Sequence, residues 1–306
     1  MNRIVIDTDP GVDDAHAIML ACAYPGAKVE ALTTVAGNVS LDRATCNALI
    51  ILDVIGQDVP VFPGCDDALV RPTPRRAISH GSDGLGDSNY PPSARQASPE
   101  HAVHALIRMA NEAPGELTLA AIGPLTNIAL ATRLDPALPQ KYRRLVVMGG
   151  AIHAHGNSWE RAAEFNFYCD PEAAAIVFAR WPMLTLVSWE TTLAHGLPPA
   201  QVDALTGGTS PRAELFRRTI RTQLLEPAQG QPVLAEPDPL ALAVALEPEI
   251  IQRAETQYVE IELAGQLTRG QTVVDWYGLI DRPHNANLVY EIDRDRFWEL
   301  MQLSVR

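Results

Sequence analysis

The chain has 306 residues, of which 47% are hydrophobic and 20% charged, and its 24 Lys and Arg against 37 Asp and Glu give a formal net charge of −13. This composition excludes a largely disordered acidic chain, because the apolar residues suffice for a large buried core. The acidic balance also argues against nucleic acid as a partner, since that affinity comes mainly from Lys and Arg that neutralise phosphates. Small polar ligands or cations are favoured instead.

Short apolar runs alternate with amphipathic segments along most of the chain. Five runs are brief and bounded by turn residues, as buried strands are, at 5–6, 29–35, 117–122, 145–148 and 184–187. Segment 42–55 has helical apolar spacing and ends before Gly56, and segment 171–180 follows Asp170, an N-cap, with a proline in its first turn. This alternation predicts an α/β fold, a mostly parallel, Rossmann-like sheet with helices on both faces.

Two long polar segments interrupt the alternation, at 71–98 and at 153–163. Long loops on an α/β scaffold are often binding loops. A further break, Thr206-Gly207-Gly208-Thr209, separates a short helical stretch at 201–205 from a longer predicted helix at 211–225. Neither an internal repeat nor a linker marks a boundary, so we predict a single domain over 1–306 with a helical flap around 199–232.

The four cysteines are widely spaced, and no CxxC pair occurs among Cys22, Cys46, Cys65 and Cys169. We therefore expect buried thiols rather than a zinc site or a disulfide framework. The N-terminal segment lacks the apolar run of a signal peptide, and the chain has no stretch of 18 apolar residues. These features predict a soluble cytoplasmic protein that does not act on membranes.

The segment after the first predicted strand carries four carboxylates in eight residues, Asp7, Asp9, Asp13 and Asp14. In a parallel sheet, ligands bind beyond the carboxyl ends of the strands, so Asp7 and Asp9 point to a functional site. Asp13 and Asp14 open the next helix. Because consecutive helical residues are about 100° apart, we expect these two side chains to serve different partners.

An acidic pair at a helix start is common by itself, because it favours the positive end of the helix dipole. Four clustered carboxylates need a further explanation, since their repulsion would raise their pKa values or destabilise the fold unless a cation lies among them. Oxygen ligands without His or Cys favour Ca²⁺ or Mg²⁺. The sequence therefore predicts a divalent metal site.

This carboxylate motif, Asp7-x-Asp9-Pro10-Gly11-x-Asp13-Asp14, resembles the N-terminal signature of the inosine-uridine-preferring nucleoside hydrolase family. Further segments similar to the family follow in order along nearly the whole chain: Val35-Ala36-Gly37-Asn38, His80-Gly81, Gly123-Pro124-Leu125-Thr126-Asn127, Met148-Gly149-Gly150, Glu164-Phe165-Asn166, Asp238-Pro239 and Thr268-Arg269-Gly270. The resemblance implies the nucleoside hydrolase fold and hydrolysis of the N-glycosidic bond of purine or pyrimidine ribonucleosides, a salvage reaction that yields ribose and free base.

By the same resemblance, a Ca²⁺ ion binds the ribose hydroxyls and the attacking water, and Asp9 takes the proton of that water. The implied metal ligands are Asp9, Asp14, Asp238 and the backbone carbonyl of Ile122. The implied sugar contacts are Asp13, Asn38, Asn157, Glu164 and Asn166. We interpret Glu164 and Asn166 as alternating about Phe165 in a strand, which would turn both toward one face.

Two features depart from the family pattern. Pro237 stands where much of the family has a His that protonates the leaving base, and proline has no ionisable group. One extra residue separates Asn157 from Glu164. We expect another side chain to assist base departure, with His80 ranked first. The other candidates are His155, Glu236, Arg221 and, as a ring that stacks on the base, Trp159; the base pocket is expected around Arg221, Gln223 and Glu226.

Two other functions stay open on the sequence alone. Asp7-Thr8-Asp9 after a strand also resembles the start of the haloacid dehalogenase group, in which an Asp is the nucleophile of a phosphohydrolase, although Gly11 and the later motifs do not fit. Pro237 makes a non-catalytic nucleoside- or ribose-binding protein the second alternative. The partners implied by the resemblance are a small nucleoside and other copies of this chain, as a dimer or tetramer.

Overall fold

A computed structural model describes residues 1–72, 79–158, 161–225 and 233–306. The strands are, in chain order, β1 (Asn2–Thr8), β2 (Ala27–Thr34), β3 (Val61–Pro63), β4 (Leu117–Ala121), β5 (Arg144–Met148), β6 (Leu184–Val187), β7 (Ile251–Gln257), β8 (Val259–Ile261), β9 (Thr272–Val274) and β10 (Ala286–Ile292). Each strand predicted from an apolar run is present, within a few residues of its expected bounds.

The α-helices are α1 (Val12–Ala23), α2 (Leu41–Val54), α3 (Ala102–Glu112), α4 (Thr126–Leu134), α5 (Leu138–Lys141), α6 (Phe165–Cys169), α7 (Pro171–Arg180), α8 (Trp189–Ala194), α9 (Pro199–Thr206), α10 (Pro211–Thr219), α11 (Arg221–Leu225), α12 (Pro237–Leu246) and α13 (Arg294–Ser304). The predicted caps are confirmed at two of them. Gly56, just beyond α2, has a φ of +67°, and the Asp170 side chain accepts a hydrogen bond from the Ala173 amide at the start of α7.

Eight strands form one sheet in the order β3-β2-β1-β4-β5-β6-β10-β7, and only β7 runs antiparallel to its neighbour. Strands β8 and β9 pair separately. The chain moves outward from β1 through β2 to β3, then returns to place β4 on the other side of β1. This change of direction creates a crevice beyond the ends of β1 and β4, where open α/β sheets bind ligands.

The helices cover both faces of the sheet, as the alternation predicts. Ile4 and Ile6 of β1 face the layer that contains α1, α2, α12 and α13. Val5, between them, faces the opposite layer, which contains α3, α4 and α7. Successive side chains of a strand point to opposite faces, so β1 is buried from both sides. Its carboxyl end is therefore held rigidly.

The predicted flap, 199–232, contains α9, α10 and α11, and residues 226–232 lie outside the described part of the chain. The single helix predicted over 211–225 is wrong, because α10 ends at Thr219 and α11 begins at Arg221. Thr219 Oγ1 donates to the carbonyls of Leu215 and Phe216, a bond that bends helices. That the flap is part of one domain stays a prediction.

The α10–α11 segment lies against the loop that carries His80. Thr222 Oγ1 donates to the Ser79 carbonyl, 2.8 Å away, and the Arg218 guanidinium donates to the Ser88 carbonyl, 2.5 Å away. Cys65 and Cys169 are buried, as expected, whereas Cys22 and Cys46 are partly exposed. In the described ranges, no helix combines the length and the apolar character needed to cross a membrane.

Candidate active site

The four clustered carboxylates lie at the carboxyl end of β1 and the start of α1, in the crevice beside β4. Asp7, Asp9 and Asp14 have no exposed area, and Asp13 is 8% exposed. Asp7 accepts hydrogen bonds from Thr33 Oγ1 at 2.5 Å and from Asn127 Nδ2 at 2.9 Å. Burial raises the pKa of Asp7 to about 7. Its partners tie β1 to β2 and α4, so Asp7 is placed as a scaffold residue.

Asp14 is surrounded by hydrogen-bond donors. Asp14 Oδ1 accepts a hydrogen bond from the Thr8 hydroxyl and another from the Asp9 amide, which is 3.2 Å away. The other oxygen accepts from the Gly11 amide at 2.9 Å and from Asn38 Nδ2 at 3.1 Å. Burial, followed by the charge of Asp13, raises the pKa of Asp14 to about 6. These donors fix the carboxylate plane in one orientation.

Asp9 has one bonded oxygen and one free oxygen. Its Oδ2 accepts from the Asn38 amide at 2.6 Å, whereas Oδ1 is buried and has no hydrogen-bond partner among the described residues. Burial, followed by the charge of Asp14, raises the pKa of Asp9 well above its ordinary range. A buried carboxylate oxygen without a donor is costly, so Oδ1 is suited to a ligand or a water.

Asp13, Asp14 and Asp238 bring one oxygen each to within 4.8 Å of one another. Asp238, at the start of α12, is 3% exposed. Burial and the charge of Asp13 raise its pKa well above the ordinary range. Asp13 Oδ1 is buried without a hydrogen-bond partner in the described ranges, and burial followed by the charge of Glu236 raises the pKa of Asp13 to about 6.

The expectation that Asp13 and Asp14 serve different partners is only partly right. The donors that hold Asp14 do not include His80, whose Nδ1 lies 3.6 Å from Asp13 Oδ1. Both carboxylates nevertheless have an oxygen within 4.8 Å of an oxygen of Asp238, which α12 supplies. Oxygens of three buried carboxylates at this spacing, together with the free oxygen of Asp9, fit a hard divalent cation.

The Ile122 carbonyl, at the end of β4, lies in the same crevice. It accepts a hydrogen bond from Asn166 Nδ2 at 3.0 Å, and the same amide lies 3.3 Å from the Met148 carbonyl. The Asn166 side chain therefore bridges the ends of β4 and β5. A carbonyl oxygen has two lone pairs, so Ile122 can accept this bond and still offer a ligand atom.

The strand predicted around Glu164 and Asn166 is wrong. These residues begin α6, with Glu164 as its N-cap. The Glu164 carboxylate accepts from the Asn166 and Phe167 amides and from the Gly150 amide at 3.0 Å. Burial raises its pKa to about 7. Sequence alternation suggested a strand, but a side chain that caps two amides of the first helical turn favours a helix start instead.

Asn157 is exposed, and its Oδ1 accepts from the Phe165 amide at 2.8 Å. His80 is 9% exposed, and its Nδ1 accepts from the Val12 amide at 3.1 Å, which places the ring proton on Nε2. Burial lowers the pKa of His80 to about 4. His80 is therefore neutral near pH 7 and can offer an N–H donor but no imidazolium proton.

The other candidates for base departure are not brought together. His155 and Arg221 are exposed, and Trp159 and Glu226 lie outside the described residues. Glu236 is buried against His16, with its two oxygens 3.0 Å from Nδ1. Sequence reasoning missed the roles of His16, Thr33 and Asn127. The only available signal was a polar residue on an otherwise apolar helix face at His16.

Known proteins match the chain over almost its whole length. Residues 4–299 match the family model described as "Inosine-uridine preferring nucleoside hydrolase". The pyrimidine-specific ribonucleoside hydrolase RihB of Escherichia coli K12 is 34% identical over 306 residues, covering 99% of this chain and 97% of the relative.

Two solved structures superimpose over almost the full length of both chains. An inosine-guanosine nucleoside hydrolase gives a TM-score of 0.93 at 34% identity, covering 100% of this chain and 99% of the other. A purine-preferring ribonucleoside hydrolase from Gardnerella vaginalis gives 0.90 at 28% identity, covering 99% and 98%. The printed base preferences of these relatives differ, so similarity alone does not assign a base to this chain.

Proposed function

The chain belongs to the inosine-uridine preferring nucleoside hydrolase family and is a ribonucleoside hydrolase, and on that premise we propose how its own residues perform the reaction. The proposed reaction is Ca²⁺-dependent hydrolysis of the N-glycosidic bond of a ribonucleoside to ribose and free base. The observation that carries it is the meeting of Asp13, Asp14 and Asp238 beside the free oxygen of Asp9, at the switch point of the sheet.

The proposed metal ligands are Asp9, Asp14, Asp238 and the Ile122 carbonyl. An all-oxygen donor set suits Ca²⁺, which takes six to eight oxygen ligands, and leaves positions for water and ribose hydroxyls. The raised pKa values of Asp9 and Asp238 support a cation, because positive charge relieves the repulsion that burial intensifies. When bound, the ion supplies a water of lowered pKa and an anchor for the sugar.

Asp9 is the proposed general base. Its Oδ2 is held by the Asn38 amide, so the carboxylate cannot rotate freely, and Oδ1 is left to accept a proton. A base fixed in this way needs little reorganisation when the water attacks the anomeric carbon. The positive charge that develops on the ribosyl ring as the base departs is stabilised by the surrounding carboxylates.

The proposed ribose contacts are Asp13, Asn38, Asn157, Glu164 and Asn166. Asp13 Oδ1 has no hydrogen-bond partner in the described part of the chain and suits a hydroxyl donor. Asn38, Glu164 and Asn166 each already bond a protein group, so their contribution to sugar binding comes from their remaining lone pairs and protons. The same bonds hold the three side chains in fixed positions around the pocket.

His80 is the proposed contact to the leaving base. With Nδ1 occupied by the Val12 amide, the base meets a neutral Nε2–H that donates a hydrogen bond. This donor stabilises charge on the departing base but does not deliver a full proton at neutral pH. The cytoplasm stays the predicted location, and by resemblance to the family we place the activity in nucleoside salvage, with the chain acting as a homo-oligomer.

The test is a panel of uridine, cytidine, inosine and guanosine assayed for release of reducing sugar, with Ca²⁺ and with a chelator. We expect hydrolysis of at least one nucleoside, loss of activity with chelator and recovery with Ca²⁺.

p-Nitrophenyl riboside is the control for the leaving group, because nitrophenolate departs without help. His80→Ala should lower the rate of nucleoside hydrolysis by about tenfold, because one hydrogen bond to the leaving base is lost. The rate of nitrophenyl riboside hydrolysis should fall much less.

Several outcomes would contradict the proposal. Full activity after exhaustive chelation excludes a catalytic metal. Binding of nucleosides without release of ribose from any of them, nitrophenyl riboside included, would indicate a binding protein. An equal loss of rate for all substrates in His80→Ala would show that His80 does not contact the leaving group.

A further inference from the structure

A buried polar pair lies behind the acidic cluster, and the proposed reaction gives it no part. His16 Nδ1 is 3.0 Å from each oxygen of Glu236, and the two side chains are 0% and 1% exposed. His16 Nε2 is 2.8 Å from Thr219 Oγ1, and the ring lies 4.2 Å from that of Phe216. The imidazole thus links α1, α10 and the segment before α12.

The pair joins the two chain segments that supply the carboxylates. His16 follows Asp13 by one helical turn on α1, and residues three apart share a helix face. Glu236 is the N-cap residue of α12, two residues before Asp238. A contact between His16 and Glu236 therefore sets how closely the first turns of α1 and α12 approach each other.

The carboxylates cannot set that distance themselves. Ionised carboxylates only accept hydrogen bonds, so Asp13, Asp14 and Asp238 repel and offer one another no donor. The packing between α1 and α12 is apolar, and apolar contacts have no preferred direction. A buried ionisable pair adds little net stability, because desolvation offsets its attraction. A directional bond at this place is better explained by position than by stability.

We propose that His16 and Glu236 are a positioning pair, which holds the start of α12 against α1 so that Asp238 stays within cation-binding distance of Asp13 and Asp14. This inference rests on the metal site of the proposed function. Partners outside the ligand set commonly change metal affinity by about 10- to 100-fold when removed, and His16 and Glu236 act one step further out, through the backbone.

The test is calorimetric titration of Ca²⁺ alone into the full chain after chelator treatment. His16→Leu removes both hydrogen bonds, and His16→Phe removes them while keeping a ring to pack on Phe216, in case the first variant does not fold. We expect the Kd for Ca²⁺ to rise about tenfold or more in both. At saturating Ca²⁺, kcat should return toward the wild-type value, because the bound ion draws the carboxylates together.

Three matched variants separate position from charge and packing. His16→Asn places its amide nitrogen where Nδ1 lies and keeps the bond to Glu236, so its Kd should stay close to wild type. Thr219→Val removes only the partner of Nε2 and should also leave the Kd unchanged. Glu236→Gln keeps an acceptor for His16 but removes a negative charge, so it measures the charge effect alone and should raise the Kd less than His16→Leu.

The outcomes distinguish this inference from the proposed function. A Kd unchanged in His16→Leu and His16→Phe, with only a lower Tm, would show that the pair merely packs and overturn the inference alone. A rise in Kd in Glu236→Gln as large as the rise in His16→Leu would also overturn the inference, since the loss of negative charge would then explain the weaker binding of Ca²⁺. A wild-type chain that binds no Ca²⁺ overturns the metal site and this inference together.

Discussion

Asp7 lies near the end of β1 and Asp9 directly follows that strand; both are fully buried, yet their surroundings give them different roles. Asp7 accepts from Thr33 and Asn127, which hold it within the scaffold. Asp9 Oδ2 accepts from the Asn38 amide, and Asp9 Oδ1, like Asp7 Oδ2, has no hydrogen-bond partner among the described residues. The difference lies in what each carboxylate faces: Asp7, within β1, is bonded to β2 and α4, whereas Asp9, one residue beyond β1, has the charge of Asp14 beside it.

This difference predicts opposite outcomes for the same substitution. Asp9→Asn removes the proposed base, and we expect kcat for a nucleoside to fall by about 10²- to 10⁴-fold. Asp7→Asn is the matched control, because the Asn oxygen can still accept from Thr33 and Asn127; its kcat should stay near the wild-type value. Steady-state kinetics at saturating Ca²⁺ checks both variants. Equal losses of kcat in Asp9→Asn and Asp7→Asn would show that Asp9 is not the general base.

At the scale of elements, the site depends on loops that pass very close to the end of β1. A Cβ atom on Gly37, in the loop after β2, would lie 2.1 Å from Asp9 Oδ2 and 2.8 Å from Pro124. A Cβ on Gly123, in the loop after β4, would lie 2.7 Å from Asp9 Oδ1. The two neighbouring strand ends thus leave room for Asp9 only because both carry glycine.

Gly37→Ala should therefore displace Asp9. We expect kcat to fall by about 10²-fold, as for a displacement of roughly 1 Å at a reacting group, with the circular dichroism spectrum unchanged. Gly207→Ala is the control: its Cβ would meet nothing closer than the Asp203 carbonyl at 3.3 Å, and activity should be retained. A wild-type kcat in Gly37→Ala would contradict this prediction, because it would show that a methyl group at position 37 does not displace Asp9.

At the scale of the whole molecule, the buried acids make stability depend on pH in an unusual direction. The pKa is raised to about 7 at Asp7 and Glu164 and to about 6 at Asp13 and Asp14. The folded state therefore holds protons more tightly than the unfolded state. The stability that these groups contribute is present below their ordinary pKa values and is lost as the pH rises through 6 to 7.

For the chelated chain, we expect the free energy of unfolding to fall between pH 5 and pH 8, by about 1.4 kcal/mol for each group and each pH unit between pH 5 and that group's pKa in the folded state. Ca²⁺ should reverse much of the loss at pH 8, because it binds the ionised form. Paired surface acids such as Glu30 and Glu247 have lowered pKa values and titrate below this window. Calorimetric Tm values across the range check the prediction, and a chelated Tm that rises toward pH 8 contradicts it.

The sequence by itself determined five strands of the sheet, several helices and where a site was to be expected. Apolar runs and caps are local properties, so strands such as β4 and helices such as α7 follow from spacing alone. A carboxylate motif at the end of a strand points to the crevice without knowledge of the fold. The family resemblance added Asp238, which no local pattern connects to the motif.

Only the tertiary structure decided which groups meet and in what chemical state. Asp238 comes within 4.8 Å of Asp13 and Asp14 across more than two hundred residues of chain, because α1 and α12 pack in the same layer. The same packing buries His16 against Glu236, and the capping role of Glu164 turned an expected strand into α6. Periodicity reports what a segment prefers locally, whereas partners, burial and pKa values depend on neighbours that the chain brings from elsewhere.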